Sequence, residues 1–222
     1  VTLTLPAFSG LMAQPMAVRI KLVQIADRND WDAAGMAGAI QHESGWNPRA
    51  RNPGKSRATG FIQWTKDTAP LYGTTVDEIR NMPAVDQLDL AERYWRNASY
   101  GRGIGPRDFL VLGLGTGNVP GYYRPGLPDS TILYEPGSAG AEGNPGLQDE
   151  SGAITVGTAR AALNRTLSGV DEVSIVDELY DPETGELRPV VVKAAMGIEG
   201  LFWLGALAVF VVKVARKGKG KR

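Results

Sequence analysis

The chain of 222 residues has no cysteine, so neither a disulfide framework nor a thiolate metal site or nucleophile can be built from it. Histidine is almost as scarce. His42 is the single one, and the position four residues on, where a zinc-protease helix needs its second histidine, is Trp46. No metal and no cofactor are expected. Charge of one sign is not in surplus either: 24 basic and 24 acidic residues cancel, which leaves no overall field favouring nucleic acid, and no specific nucleic-acid binding is expected. The segment Val1 to Pro15 lacks a basic stretch followed by an apolar core and a small-residue cleavage site, so export by the general secretory route is not expected.

What is present reads as mainly α. Met16 to Ala26 spaces Ala17, Ile20 and Val23 as an amphipathic helix should. Asp32 is placed to cap a second helix, whose small and apolar residues Ala33, Ala34, Met36, Ala37, Ala39 and Ile40 lead to Glu43. Such a helix admits close neighbours and brings Glu43 out of the interior. Arg49 to Arg57 has the composition of an exposed loop. Thr75-Val76-Asp77-Glu78 fits a capping box, and Pro83 suits the first position of a helix reaching about Trp95. A further helix is expected over roughly Pro106 to Leu114.

Beyond Pro120 the composition shifts, with Pro120, Pro125, Pro128, Pro136 and Pro145 set among Gly and Ser, and few regular elements survive that density of proline. The expected organisation is a helical catalytic domain over 1–134, a linker over 135–189 with one small helix at about Val156 to Leu167, and a C-terminal segment over 190–222. Asn144 to Thr155 faintly suggests a calcium loop. Leu147 and Thr158, however, occupy the ligand positions, so it reads as a turn capping the next helix.

The chemistry centres on Glu43-Ser44-Gly45-Trp46-Asn47-Pro48, followed 17 residues after Glu43 by Gly60-Phe61-Ile62-Gln63-Trp64. Cleaving a glycosidic bond requires a carboxylic acid still protonated near neutral pH, to protonate the leaving oxygen. Burial supplies this by lifting a glutamate towards about 6. Glu43 follows Ala39 and Ile40 with no basic side chain expected beside it, since His42 should point to a different side of the helix. Trp46, Trp64 and Trp95 are open to two uses, stacking on sugar rings or packing the core.

The two motifs, with Ala50, Ala58, Thr68-Ala69, Gly73-Thr74-Thr75, Gln87-Leu88 and Glu92-Arg93-Tyr94-Trp95, resemble the lysozyme-like superfamily of soluble lytic transglycosylases and goose-type lysozymes, phage-borne members especially. The likeness spans about Ala17 to Tyr123. It implies that Glu43 is the acid/base, that Ser44 orients it, and that Phe61, Ile62 and Gln63 line a glycan groove. It also implies a lysozyme-like helical fold, peptidoglycan strands as the substrate, and closure of the muramyl 6-hydroxyl onto its own anomeric carbon. One departure stands out: aligned on Gly117-Asn118-Val119, the chain has Leu112 and Gly113 where many members have a Tyr-Asn pair. Tyr94 or Tyr100 is the candidate for the missing phenol.

The C-terminal segment suggests a membrane. Ala194 to Ala215 gives 22 residues with Glu199 and Lys213 near the ends, enough to span a bilayer, which takes about 20. Arg216 to Arg222 adds five positive charges, as a basic flank should. The expected protein is thus a glycan-cleaving head, a stalk and a transmembrane anchor, associated with a phage virion and other virion proteins and acting during genome delivery. The alternatives are a conjugation or secretion-system transglycosylase and a non-catalytic virion protein of lysozyme-like shape.

Overall fold

The computed structural model describes residues 4–53, 57–114 and 123–175. Its longer elements are helices, and the architecture is mainly α. Strand β1 (Thr4–Pro6) and a short helix α1 (Ser9–Met12) precede α2 (Met16–Asn29), which closes where Asp30 takes the left-handed conformation at φ 55° and the Trp31 N–H donates to the Ala26 carbonyl at 2.9 Å. Helix α3 (Ala33–Ser44) starts as its sequence dictates, with Asp32 Oδ2 accepting from the Gly35 N–H at 2.9 Å, and stops at Gly45 with φ 59°.

Helix α3 is the central element. Residues 35–40 are buried on every side of it, and it packs against β1, α1, α2 and, from further along the chain, helices α6 (Phe109–Gly113) and α8 (Val156–Leu167). A run of Gly and Ala permits this, because small side chains let neighbouring elements come close. At Gly38 a Cβ would stand 2.7 Å from Leu163 Cδ1, so a larger residue there would push α8 away.

After a short 3-10 turn at Ala69–Tyr72 comes α4 (Val76–Asn81), whose expected capping box is formed: Thr75 Oγ1 accepts from the Glu78 N–H at 3.2 Å, and Glu78 Oε2 accepts from the Thr75 N–H at 2.8 Å. Helix α5 (Ala84–Ala98) follows Pro83 and lays Leu88, Ala91 and Trp95 on the core. Helix α6 is shorter than its sequence suggests, running only over Phe109–Gly113. The Asp108 carboxylate does not cap it; it is taken by Arg160, at 2.7 and 3.1 Å, and by the Tyr123 hydroxyl at 2.9 Å.

The expected linker needs correction. Strand β2 (Ile132–Tyr134), helix α7 (Ala139–Glu142), a 3-10 turn at Pro145–Leu147, strand β3 (Ile154–Thr155), helix α8 (Val156–Leu167) and strand β4 (Glu172–Ser174) are packed onto the rest. Ala141, Leu147, Ile154, Val156, Ala159, Ala162, Leu163 and Ile175 share one apolar core with Leu22, Ile40 and Trp46. The polar residues that read as a stalk form caps and turns. Ser138 caps α7, Asp149 Oδ1 accepts from the Ser151 and Ala153 N–H groups at 2.8 and 3.1 Å, and Thr155 caps α8. Residues 144–155 are therefore a turn leading into α8, and that helix has the expected bounds.

Two small antiparallel ladders fasten this part down. Thr4, Leu5 and Pro6 pair with Ser174, Val173 and Glu172, while Ile132 and Tyr134 pair with Thr155 and Ile154. Among the described residues no helix is long and apolar enough to cross a membrane. The expected span Ala194 to Ala215 and its basic tail lie outside the described residues.

Candidate active site

A groove of about 680 Å³ opens where α3 ends, within the roughly 300–1,000 Å³ usual for small-molecule sites. Glu43 projects into it from the last turn of α3. The loop bearing Ile62, Gln63 and Trp64 lines it, together with Tyr94, Gly113, Tyr134 and Asn144.

The environment of Glu43 sets its chemistry. The residue is half-buried, and burial pushes its carboxyl up from 4.5 to about 7, because the charged form loses its hydration without a counter-charge. Gly113 adjoins it closely, since a Cβ on that glycine would lie 3.7 Å from Glu43 Oε1. With its pKa at about 7, Glu43 has the protonated and ionised forms comparably populated at neutral pH, beside open space.

The Gly60 to Trp64 loop is held tightly. Thr59 and Trp64 exchange backbone hydrogen bonds at 2.9 and 2.8 Å, Thr59 Oγ1 donates to the Ala50 carbonyl at 2.8 Å, and Gln63 adopts φ 53° with its Nε2 donating to the Gly60 carbonyl at 3.0 Å. Beneath it Gln87, fully buried, ties three segments together. Its Oε1 accepts from the Phe61 N–H at 3.0 Å, and its Nε2 donates to the carbonyls of Pro48 and Ile79 at 2.8 and 2.9 Å. Losing that amide would leave buried backbone groups unpaired.

Of the expected site residues, Glu43, Ile62, Gln63 and Tyr94 meet in the groove. Phe61 does not: it is completely buried and meets Trp46 edge-on at 5.3 Å, so it shapes the loop from below. Ser44 Oγ donates to the Ile40 carbonyl at 3.1 Å, steadying the helical turn that carries Glu43 instead of reaching into the groove. Tyr94 donates its hydroxyl to the Leu112 carbonyl at 3.0 Å, and burial, followed by the nearby Tyr72 and Glu43, pushes its pKa above the usual phenol range. Tyr100, half exposed, is not among the residues lining the groove.

Trp46 and Trp95 serve the core, Trp46 with its indole N–H donating to the Ala37 carbonyl at 3.2 Å, and Trp95 edge-on to Trp31 and Phe109. Trp64 is nearly buried but contributes to the groove wall, packed edge-on against Tyr72 and Tyr94. His42, expected on a different side, also lies at the groove margin, because the groove wraps around the end of α3. The sequence assigns no site role to Tyr134, Asn144 or Gln87, although Gln87 belongs to the Gln87-Leu88 segment of the resemblance. A polar residue amid Leu88, Leu90 and Ala91 is the signal that marks Gln87; Tyr134 ends the expected catalytic domain and Asn144 lies in the expected linker.

Among the described residues no group of His, Cys, Asp and Glu is placed to hold a metal ion. No curated protein matches the chain, and no solved structure does. Residues 20–92 match the family model described as phage tail lysozyme. The matched stretch contains most of α2, all of α3, the Gly60 to Trp64 loop and the beginning of α5, so Glu43, Ile62 and Gln63 all fall inside it.

Proposed function

We propose that the chain is a virion-associated glycosidase that cuts the glycan strands of peptidoglycan, with Glu43 as general acid. The observation that carries this is a carboxyl group at the end of α3, raised by burial to about 7 and lining a groove of about 680 Å³. Protonated Glu43 gives its proton to the bridging oxygen as the bond to the anomeric carbon breaks. The resulting carboxylate then takes a proton from the attacking oxygen. Ile62 and Gln63 form one wall for the strand, with Tyr94 beneath.

In this reading the attacking oxygen is that of water or of the muramyl 6-hydroxyl. Mass analysis of fragments released from purified peptidoglycan by the full chain tests the reading. Reducing muramyl ends identify a lysozyme, 1,6-anhydro ends a lytic transglycosylase, and absence of fragments overturns the enzymatic assignment in favour of a structural virion protein.

Ala194 to Ala215 with the basic tail would tether this head to a bilayer and confine cleavage to the point of genome delivery. Removing residues 190–222 should leave an active, soluble head, and the full chain should stay with membranes through high-salt washing. Release by salt alone would reduce the segment to a basic patch on anionic lipid.

A further inference from the structure

Helix α6 is short, and its own hydrogen bonds do not fix its place. It has five residues and no side-chain hydrogen bond at its start, so it depends on its neighbours to stay formed. Phe109, Leu110, Val111 and Leu112 are all buried, which keeps α6 inside the protein, but apolar burial is non-directional and does not set its register. Polar anchors at its two ends do that. At the far end the Tyr94 hydroxyl donates to the Leu112 carbonyl at 3.0 Å. At the near end Asp108, 2 % exposed, is gripped by the Arg160 guanidinium from α8, with Nε donating to Oδ1 at 2.7 Å and Nη2 to Oδ2 at 3.1 Å. The guanidinium is itself held, its Nη1 donating to the Leu127 carbonyl at 2.8 Å and to Asp129 Oδ1 at 2.7 Å. A bidentate, charge-assisted pair of this kind fixes orientation as well as distance.

This anchor bears on the acid because α6 lies along α3. The chain entering α6 rests directly on that helix, for a Cβ on Gly35 would stand 2.2 Å from the Pro106 carbonyl oxygen, and α6 ends with Gly113 beside Glu43 Oε1. We propose that Arg160 is a positioning residue for Glu43: by clamping Asp108 it fixes α6 along α3 and holds Gly113 against the carboxyl, keeping water from that side. The role of acid given to Glu43 rests on the glycan-cleaving reading, whereas the clamp can be read without turnover. Loosening α6 admits water to Glu43 and lets its pKa fall from about 7 towards 4.5. Mere loss of a positive charge would move a carboxyl upward, so the sign of the effect separates position from charge. The other titratable groups lining the groove are His42, Asp67, Tyr94 and Tyr134, and none of them is altered in the variants below.

The test follows the Glu43 carboxyl of the full chain by NMR across pH, its signal identified by loss in Glu43→Gln, beside the pH–rate profile of peptidoglycan cleavage. In Arg160→Met the carboxyl should titrate about one pH unit lower than in the parent, and the alkaline limb of kcat should move down with it. Arg160→Lys keeps the charge but not the fork and should give a smaller shift of the same sign. Asp129→Ala removes an exposed partner of Arg160 while the Asp108 clamp remains, and should leave both curves in place. Gly113→Ala adds a methyl 3.7 Å from Oε1, an ordinary contact, and should raise the carboxyl by about half a pH unit.

An unchanged titration in folded Arg160→Met and Arg160→Lys overturns the proposal, as does an upward shift in either or an equal shift in Asp129→Ala. Should Arg160→Met fail to fold, Arg160→Lys and Gly113→Ala decide: shifts in opposite directions support the clamp, and the absence of either overturns it. A carboxyl that shifts as expected in a chain releasing no fragments keeps the positioning role and sinks the glycan reading alone.

Discussion

Glu43 on α3 and Glu92 on α5 are both helical glutamates withdrawn from water, yet they titrate in opposite directions. Burial pushes both up. At Glu92 it is outweighed by the Arg28 guanidinium, whose Nε bonds Oε1 at 2.8 Å while Nη2 meets Oε2, by Asn29 Nδ2 at 2.7 Å and by Arg96 at 3.2 Å, so Glu92 ends below the usual carboxylate range. At Glu43 burial stands as the cause and the result is about 7. Partners, more than depth, separate a carboxylate that braces two helices from one that holds a proton ready.

Replacing Glu43 by Gln should break this comparison most forcefully. Release of peptidoglycan fragments should fall about a hundredfold or more, the usual consequence of removing a general acid, and turnover within about tenfold of the parent would refute the assignment.

The same substitution should act on stability with a definite sign. Because the folded pKa of Glu43 is raised, the folded state loses stability as pH climbs from about 4.5 through about 7. Glu43→Gln removes that loss, so in urea titrations the variant should be more stable than the parent by roughly 1–3 kcal/mol at pH 8 and about equal at pH 4. An equal difference at both pH values would mean that burial does not govern Glu43.

Glu92→Gln should do the reverse, destabilising by about 1–2 kcal/mol at pH 7, since Arg28 is partly exposed and can still reach water. With its folded pKa depressed, the contribution of Glu92 is present above the unfolded value and fades as pH falls through the folded one. The pH–rate profile should not move. Finally, Ile62→Lys would give Glu43 the cation it lacks and should draw the alkaline limb of kcat downward by about one pH unit. An unmoved limb would detach that limb from Glu43.

The sequence carried the acid-bearing half of the molecule well, for local reasons. Asp32 before a run of small residues, and Thr75 three positions before Glu78, are capping signals whose hydrogen bonds are made within one turn. Glu43 was legible because its neighbours in the chain are also its neighbours in space. Phe61 was misjudged since strand-like and turn segments do not declare which side chain points inward, and here Gln87 pulls the Phe61 N–H down towards the core. The wall at Tyr134 was lost for another reason. Ala141, Leu147 and Ile154 are too sparse to show a period, and what folds them is contact with distant residues.

The pairing of Thr4, Leu5 and Pro6 with residues 172–174, together with the seating of Leu163 against Gly38, has a consequence for timing. The helix that carries the acid receives its cover from segments synthesised long after it. Contacts so far apart in sequence close slowly and late, so during synthesis the cover over α3 is completed only after residues 172–174 are available to pair with Thr4, Leu5 and Pro6.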